Sequence, residues 1–218
     1  QWVPQRPFDS HKWKAALYAV AGSSGMMGAA NLCSASAMRA GAGIVHVASP
    51  GIVSDRSTST EIVRRALPAL GWSHEVLDDL SRFKAIVIGP GLGRDEGTVS
   101  EARRIIAGAH IPMVIDGDGL FAVAWGGEGA RDIVRSRAAG TVLTPHDGEF
   151  TTLLGYAPSH DRITSARRLA SDTNCVCLLK GTTTVVAEPS GEVLMVANGD
   201  QRLATAGTGD VLAGIIGA

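Results

Sequence analysis

The last stretch of the chain holds residues whose types and spacing could do phosphate chemistry. Gly207, Thr208 and Gly209 lie directly before Asp210, and an apolar run follows. Glycines let backbone amides approach an anion, and a helix that begins there adds about half a positive charge at its first turn. A phosphate would fit, with the Asp210 carboxylate beside it to face a hydroxyl. The alternative is that Asp210 only caps a helix, and the tetrapeptide alone leaves both interpretations open.

A second small-residue loop follows the apolar run at residues 176–179. It consists of Lys180, Gly181, Thr182, Thr183 and Thr184. These residues could line the base, ribose or phosphates of a nucleotide. The loop lacks the GxxxxGK[ST] pattern, so it is not a P-loop. Taken alone, it is explained better as a hairpin turn between two strands.

The segment TPHDGEF at residues 144–150 places two polar side chains three residues apart at a strand-to-helix turn. His146 could donate a hydrogen bond to a substrate amide or phosphate. Glu149 could bind Mg²⁺ through water, because that ion keeps much of its hydration shell. The alternative is a helix start at which Asp147 and Glu149 favour the helix dipole. The pattern is compatible with both a ligand-binding role and a helix start.

Two further loops follow apolar runs. GPGLG at residues 89–93 resembles part of a GxGxxG fingerprint with the wrong spacing, so it predicts a tight turn or a ligand lying against Gly93. Asp116 and Asp118 flank Gly117 and could be paired carboxylates on a metal or a hydroxyl. Asx-turn chemistry explains the two aspartates equally well.

Apolar runs alternate with helical patterns along the chain, and this alternation predicts how the loops are positioned. We predict strands at residues 15–21, 44–48, 85–88, 112–115, 141–144, 176–179, 183–187 and 193–196, and helices at 27–39, 73–80, 96–109, 162–172 and from 210 onward. Such alternation indicates an α/β fold with a mostly parallel central sheet and helices on both faces. Ligands of such sheets bind beyond the carboxyl ends of the strands, where the loops above converge.

Composition excludes several classes of protein. Of 218 residues, 45% are hydrophobic and 19% charged, and the net charge is −1. This balance gives no bulk attraction to nucleic acid or to a membrane surface. Three cysteines without a CxxC motif argue against disulfides and a zinc site and indicate a reducing compartment. We expect a cytoplasmic protein without a signal peptide or membrane span, forming a single domain over residues 1–218.

Taken together, the loops resemble those of a known family. AGSSGMMGAANLCSASAMRAGAGIVHVASP, VIGPGLGR, MVIDGDGL, VLTPHDGEF, LLKGTTTVV and ATAGTGDVLAGIIGA occur in this order. The set resembles the ADP-dependent NAD(P)H-hydrate dehydratase family of the ribokinase-like superfamily. The resemblance implies a ribokinase-like three-layer sandwich. It also implies that the protein removes water from the 6-hydroxylated, hydrated forms of NADH and NADPH (NADHX and NADPHX), using Mg²⁺ and ADP or ATP.

The resemblance also assigns roles to individual residues. Asp210 corresponds to the catalytic aspartate and contacts the substrate, as do Ala42, Gly93 and His146. The nucleotide-binding positions are Lys180, Gly181, Thr182, Thr183, Thr184, Gly207, Thr208 and Gly209. Glu149 stands where relatives keep an acidic residue for magnesium held through water. The substrate hydroxyl is expected to be phosphorylated first, after which phosphate leaves.

The sequence departs from the family pattern in one motif, and the resemblance also bears on the size of the full-length protein. Relatives usually read HKGxxG near the first strand, whereas residues 11–14 here read HKWK. Relatives continue past the last helix and some carry an epimerase domain upstream, so we expect missing C-terminal helices and a bifunctional full-length protein. A homo-oligomer, such as a tetramer, is expected. The alternatives are a ribokinase-like kinase for a small alcohol and a nucleotide-binding module without catalysis.

Overall fold

The computed structural model describes residues 7–52, 61–124 and 130–218 of the chain. The strands are β1 (Ala16–Val20), β2 (Ile44–Pro50), β3 (Val63–Leu67), β4 (Ala85–Ile88), β5 (Met113–Ile115), β6 (Thr141–Leu143), β7 (Val176–Leu179), β8 (Thr184–Ala187) and β9 (Val193–Val196). The helices are α1 (Met27–Ala40), α2 (Ser73–Asp79), α3 (Glu96–Gly108), α4 (Asp118–Ala122), α5 (Ala130–Arg135), α6 (Asp147–Leu154), α7 (Arg162–Thr173) and α8 (Thr208–Gly217). Strands and helices alternate through most of the chain, as the sequence predicts.

Within these residues the nine strands form one sheet in the order β3-β2-β1-β4-β5-β6-β7-β8-β9. The pairs from β3 through β7 are parallel, whereas β8 pairs antiparallel with both β7 and β9. Strands β2 and β3 follow β1 in the chain and lie on one side of it. Strand β4 comes next in the chain and lies on the other side of β1. This reversal leaves a crevice at the carboxyl ends of β1 and β4, the position at which such sheets bind ligands.

Helices cover both faces of the sheet. Side chains of α2 to α7 join one apolar core, which includes Ile86 and Ile115. Helices α1 and α8 join a second core on the opposite face with Val87 and Val114. The central strands are buried from both sides, which explains their uninterrupted apolar sequences. The predicted mostly parallel α/β architecture is thus confirmed.

Close packing between the layers depends on small residues at two places. A Cβ on Gly214 of α8 would overlap the carbonyl oxygen of Cys33 and the hydroxyl of Ser36 on α1. A Cβ on Gly89, after β4, would overlap the backbone of Asp116 and Gly119, after β5. The glycines therefore let α8 lie against α1 and let the loops after β4 and β5 touch.

Several elements differ from the sequence-based expectation. The short helices α4 and α5 have no counterpart among the predicted helices. Strand β3 lies in a region without a predicted strand, because it holds Arg64 and Arg65 and, of its residues, buries only Leu67. Helix α8 begins at Thr208 with Gly207 as its N-cap, two residues before the predicted start. Among the residues described, no helix combines the length and the apolar character that crossing a bilayer requires.

Candidate functional site

Three neighbouring parallel strands bring a buried ion pair to the carboxyl edge of the sheet. Asp116 follows β5, Thr144 follows β6 and Lys180 follows β7. The Lys180 Nζ lies 2.8 Å from Asp116 Oδ1, and the Thr144 hydroxyl donates to the same oxygen at 2.7 Å. The side chains of Asp116 and Lys180 are 4% and 19% exposed. Because parallel strands end at a common edge, residues 64 positions apart meet here.

The segment at residues 144–150 joins this cluster through Glu149. Lys180 Nζ lies 3.4 Å from Glu149 Oε2, which also accepts a hydrogen bond from the His146 amide at 2.9 Å. In return, the His146 Nδ1 accepts from the amides of Gly148 and Glu149. The two residues therefore form the capping box of α6. Capping does not exclude a site role, because the His146 side chain is 59% exposed and Glu149 reaches the Lys180 ammonium.

The glycine turn before α8 lies against the same ion pair. A Cβ added to Gly209 would come within 3.5 Å of Lys180 Nζ and 3.7 Å of Asp116 Oδ2. Gly207 adopts a φ of 93°, a conformation that favours glycine, and serves as the N-cap. Asp210 thus lies within the first turn and is not the capping residue. The first amides of a helix have no partner within it, so this turn offers donors to an anion beside Lys180.

The electrostatic surroundings raise the pKa of Asp210 above its ordinary value. Burial of the half-buried carboxyl is the main cause, and the negative charge of Asp116 is the next. Lys180 opposes the increase, and Asp118 and Glu149 add to it. A carboxylate with a raised pKa accepts a proton more readily than an exposed aspartate does. The arrangement is therefore suited to taking a proton from a hydroxyl placed at the glycine turn.

The loop at residues 89–93 closes the other side of the crevice. The Gly93 amide donates to Asp118 Oδ2 at 2.8 Å, and the Arg94 Nε lies 2.6 Å from Asp118 Oδ1. The Ser23 hydroxyl, after β1, donates to the Gly91 carbonyl at 2.9 Å. Asp116 and Asp118 therefore do not act as one pair of carboxylates. Asp116 holds Lys180, whereas Asp118 holds the backbone at Gly93.

The loop from Lys180 to Thr184 matches the hairpin interpretation, and its role in nucleotide binding stays a prediction. Strands β7 and β8 are antiparallel, so the loop is a hairpin connection. It also lies at the carboxyl end of β7, where Lys180 enters the ion pair. Gly181 and Thr182 are exposed and Thr183 and Thr184 are half-buried. The loop leaves these side chains and backbone groups accessible beside Lys180.

Comparisons with known proteins show the family to which the chain belongs. The family model described as NAD(P)H-hydrate dehydratase matches residues 17–218. The chain belongs to this family. It is 37% identical over 218 residues to the bifunctional NAD(P)H-hydrate repair enzyme Nnr of Mycobacterium tuberculosis and 38% identical over 232 residues to that of Moorella thermoacetica. These matches cover 100% and 98% of this chain but only 43% and 42% of the relatives, so the chain spans less than half of their length.

A solved structure extends the likeness to the fold. The ADP/ATP-dependent NAD(P)H-hydrate dehydratase of Bacillus subtilis, co-crystallised with ATP and Mg²⁺, superposes with a TM-score of 0.81 at 30% identity. The match covers 97% of this chain and 74% of that one. The resemblance of the chain to this dehydratase family is therefore confirmed. The ribokinase-like fold is confirmed by a ribokinase-like superfamily protein of Enterococcus faecalis, which matches with a TM-score of 0.82 at 23% identity.

Ala42, to which the family resemblance gave a substrate-binding role, does not lie near Gly93, His146 and Asp210. Ala42 is buried just before β2, at the amino edge of the sheet. Helix α1 separates it from the site, because its 14 residues span about 21 Å at 1.5 Å per residue. At the opposite end of α1, the Ala29 side chain lies 2.9 Å from where a Cβ on Gly91 would stand. Ala29 is thus a small residue of α1 that borders the loop after β4, as Ala30 borders Gly22 after β1.

Proposed function

We propose that this chain dehydrates NADHX and NADPHX back to NADH and NADPH, using ADP or ATP as co-substrate. The observation that carries the proposal is the meeting of Asp210, the glycine turn at residues 207–209 and the Lys180–Asp116 pair at one edge of the sheet. Membership in the NAD(P)H-hydrate dehydratase family supports the substrate class. Gly93 and His146 border the same edge and are proposed to contact the substrate.

Asp210 is proposed to orient the 6-hydroxyl of the hydrated ring and to accept its proton. The hydroxyl oxygen then forms a bond to the terminal phosphorus of the nucleotide, and the bond from that phosphorus to the nucleotide's bridging oxygen breaks. Phosphate subsequently leaves with the electrons of the C6–O bond, and loss of a proton from C5 restores the dihydronicotinamide. Phosphoryl transfer depends on placement and on charge neutralisation. The Asp210 carboxylate would place the hydroxyl, and the unpaired amides at the start of α8 would neutralise charge on the phosphoryl group.

Lys180 and the first amides of α8 are proposed to stabilise the charge on the transferred phosphoryl group. The ammonium stands 2.8 Å from Asp116 and 3.4 Å from Glu149, so its position is fixed before any ligand binds. Donors that are already oriented need no reorganisation when charge develops. The exposed loop from Lys180 to Thr184 would line the rest of the nucleotide.

The acidic residues of the site fit a magnesium ion held largely through water and phosphate. Among the described parts of the chain, no three acidic, histidine or cysteine side chains converge into a metal cage. Mg²⁺ usually keeps several waters and takes one or two carboxylates together with substrate phosphates. Glu149 would hold such an ion through water, and the ion would neutralise the nucleotide phosphates. Support also comes from the co-crystallisation of the Bacillus subtilis relative with ATP and Mg²⁺.

Absorbance at 340 nm tests the proposed reaction directly. The protein is given hydrated NADH, Mg²⁺ and either ADP or ATP, and we expect the absorbance of the reduced nicotinamide to return. A stable phosphate ester without recovery of absorbance would indicate a small-molecule kinase instead. Nucleotide binding without any product would indicate a module without catalysis.

Replacing Asp210 by Asn tests its role as proton acceptor. Asp210→Asn should lower turnover by about 10²- to 10⁴-fold, the usual contribution of one acid–base group. The Kd for ADP, measured by calorimetry, should stay within a few-fold because the glycine turn and Lys180 are untouched. Turnover at the normal rate would contradict the proposal and leave Asp210 as a structural residue.

A further proposal concerns the organisation of the whole protein. We propose that residues 1–218 are one ribokinase-like dehydratase domain and that the full-length protein carries an epimerase domain upstream. The bifunctional names and greater length of the Mycobacterium tuberculosis and Moorella thermoacetica relatives support this. The expectations of further C-terminal helices, a homo-oligomer and a cytoplasmic location stay predictions.

A further inference from the structure

Arg162, the first residue of α7, lies behind the nucleotide loop and has no place in the reaction described above. Its Nη2 donates to the Lys180 carbonyl at 2.7 Å. Its Nη1 pairs with Asp147 Oδ1 at 2.8 Å. The Arg162 side chain is 23% exposed, so this guanidinium is mostly enclosed. One side chain thus ties the residue after β7 to the residue that begins α6.

The backbone of Lys180 is held on both sides of its Cα atom. The Lys180 amide donates to the Pro145 carbonyl at 2.8 Å, and the Lys180 carbonyl accepts from Arg162. With both its amide and its carbonyl bonded, Lys180 has a fixed backbone from which its side chain reaches Asp116 and Glu149. Asp147 directly follows His146, so the same guanidinium also fixes the start of α6.

Gly181 provides the room for this arrangement. A Cβ at residue 181 would come within 2.7 Å of the Arg162 Nη2 and 3.1 Å of its Cζ. The guanidinium therefore packs directly over the Gly181 backbone. A planar fork that donates in two directions from a fixed geometry is a property of Arg that Lys does not share. A side chain at residue 181 would therefore displace the guanidinium from this position.

We propose that Arg162 is a positioning residue that holds the nucleotide loop in register with the start of α6. It acts through Lys180 and Asp147 and touches no reacting atom. The inference rests on the proposed function in one respect, namely that the loop from Lys180 to Thr184 binds ADP or ATP. Loss of Arg162 should therefore weaken nucleotide affinity first and affect the dinucleotide substrate less.

Calorimetry with ADP and Mg²⁺ tests this on the whole chain. Arg162→Ala should raise the Kd for ADP about 10- to 100-fold, the range expected when hydrogen bonds to a charged group are lost. Arg162→Lys should recover part of this loss, because one ammonium can serve one of the two acceptors. Arg167→Ala is the matched control, since Arg167 on the same helix donates to the distant Gly191 carbonyl. An Arg162→Ala protein that only melts earlier, with unchanged affinity, would overturn the inference.

A double-mutant cycle with Gly181→Ala separates positioning from general destabilisation. The new methyl should displace the guanidinium, so Gly181→Ala alone should weaken ADP binding. In the Arg162→Ala background it should add little further loss, because the clash no longer exists. Fully additive losses would contradict the proposal. Since affinity is measured without turnover, a protein that binds ADP but leaves hydrated NADH unchanged would refute the proposed function alone.

Discussion

At the scale of single residues, the Lys180 ammonium is the positive charge that the acidic side chains of the site share. It lies 2.8 Å from the buried Asp116 and 3.4 Å from Glu149, and it lowers the pKa of Asp210 against the effects of burial and of Asp116. Asp116 has only Thr144 as a further side-chain donor within the described residues. The protonation of the site should therefore depend on this one cation.

Lys180→Met removes that charge and keeps the length of the side chain. The pKa of Asp210 should rise further, so the acid limb of the pH–rate profile should move to higher pH, since Asp210 must be ionised to accept a proton. The free energy of unfolding should also fall by about 3–5 kcal/mol, because Asp116 becomes a buried charge without its partner. Rate profiles and urea denaturation measure the two effects. Lys84→Met, at an exposed position before β4, is the control, and an unmoved acid limb would contradict this account.

At the scale of elements, the position of Asp210 depends on how closely α8 packs against α1. Gly214 and Gly217 face α1 and the sheet, and a Cβ on Gly217 would lie 2.5 Å from Val87 Cγ2. The backbone of one helix touches the other at Gly214, so no side chain can move aside to make room. Because Asp210 is in the first turn of the same helix, any shift of α8 also moves the carboxylate that we propose to be catalytic.

Gly214→Ala should therefore destabilise the fold and impair catalysis together. Overpacking of this kind costs about 1–3 kcal/mol, and we expect a loss of that size in chemical denaturation, together with a lower kcat. Gly28→Ala is the matched control, because Gly28 lies in α1 with nothing within 4 Å of its Cβ position. That variant should be neutral or more stable by up to about 1 kcal/mol, as expected for Ala in place of Gly in a helix. Equal stability of the two variants would show that the interface tolerates a methyl group.

At the scale of the whole molecule, the sequence predicts the buried strands well and their spatial neighbours poorly. Residues 85–88 and 176–179 coincide with β4 and β7 because both are uninterrupted apolar runs. Strand β3 escapes prediction, since its exposed face allows two arginines. The Lys180–Asp116 pair could not be predicted either, because it depends on β6 lying between β5 and β7. The family resemblance gave Ala42 a substrate-binding role, yet Ala42 follows α1 and lies at the amino edge of the sheet, opposite the site.

The stability of the whole fold should also respond to pH through His46, which lies far from the site. Its ring meets Trp13 and Phe83 at centroid distances of 5.8 and 5.0 Å, and its Nδ1 is buried without a hydrogen-bond partner in the described structure. Burial lowers the pKa of His46 below its ordinary value. Among the charged groups that act on the ring, Arg65, Arg82 and Lys12 lower the pKa as well, and Asp79 opposes them. The folded protein therefore binds this proton less readily than the unfolded chain does.

The contribution of His46 to the free energy of unfolding is therefore fully present above pH 6.5, which is about the pKa of His46 in the unfolded chain. It is lost as the pH falls toward the lower pKa that His46 has in the folded protein. We expect the free energy of unfolding to decrease over this interval with a slope of at most about 1.4 kcal/mol per pH unit. His46→Phe keeps an aromatic ring beside Trp13 and Phe83 and should flatten this part of the curve, whereas His160→Gln, at an exposed position, should not. Urea denaturation from pH 8 to 5 measures the difference between the curves. Parallel curves for the wild type and His46→Phe would mean that His46 takes up its proton equally well in the folded state.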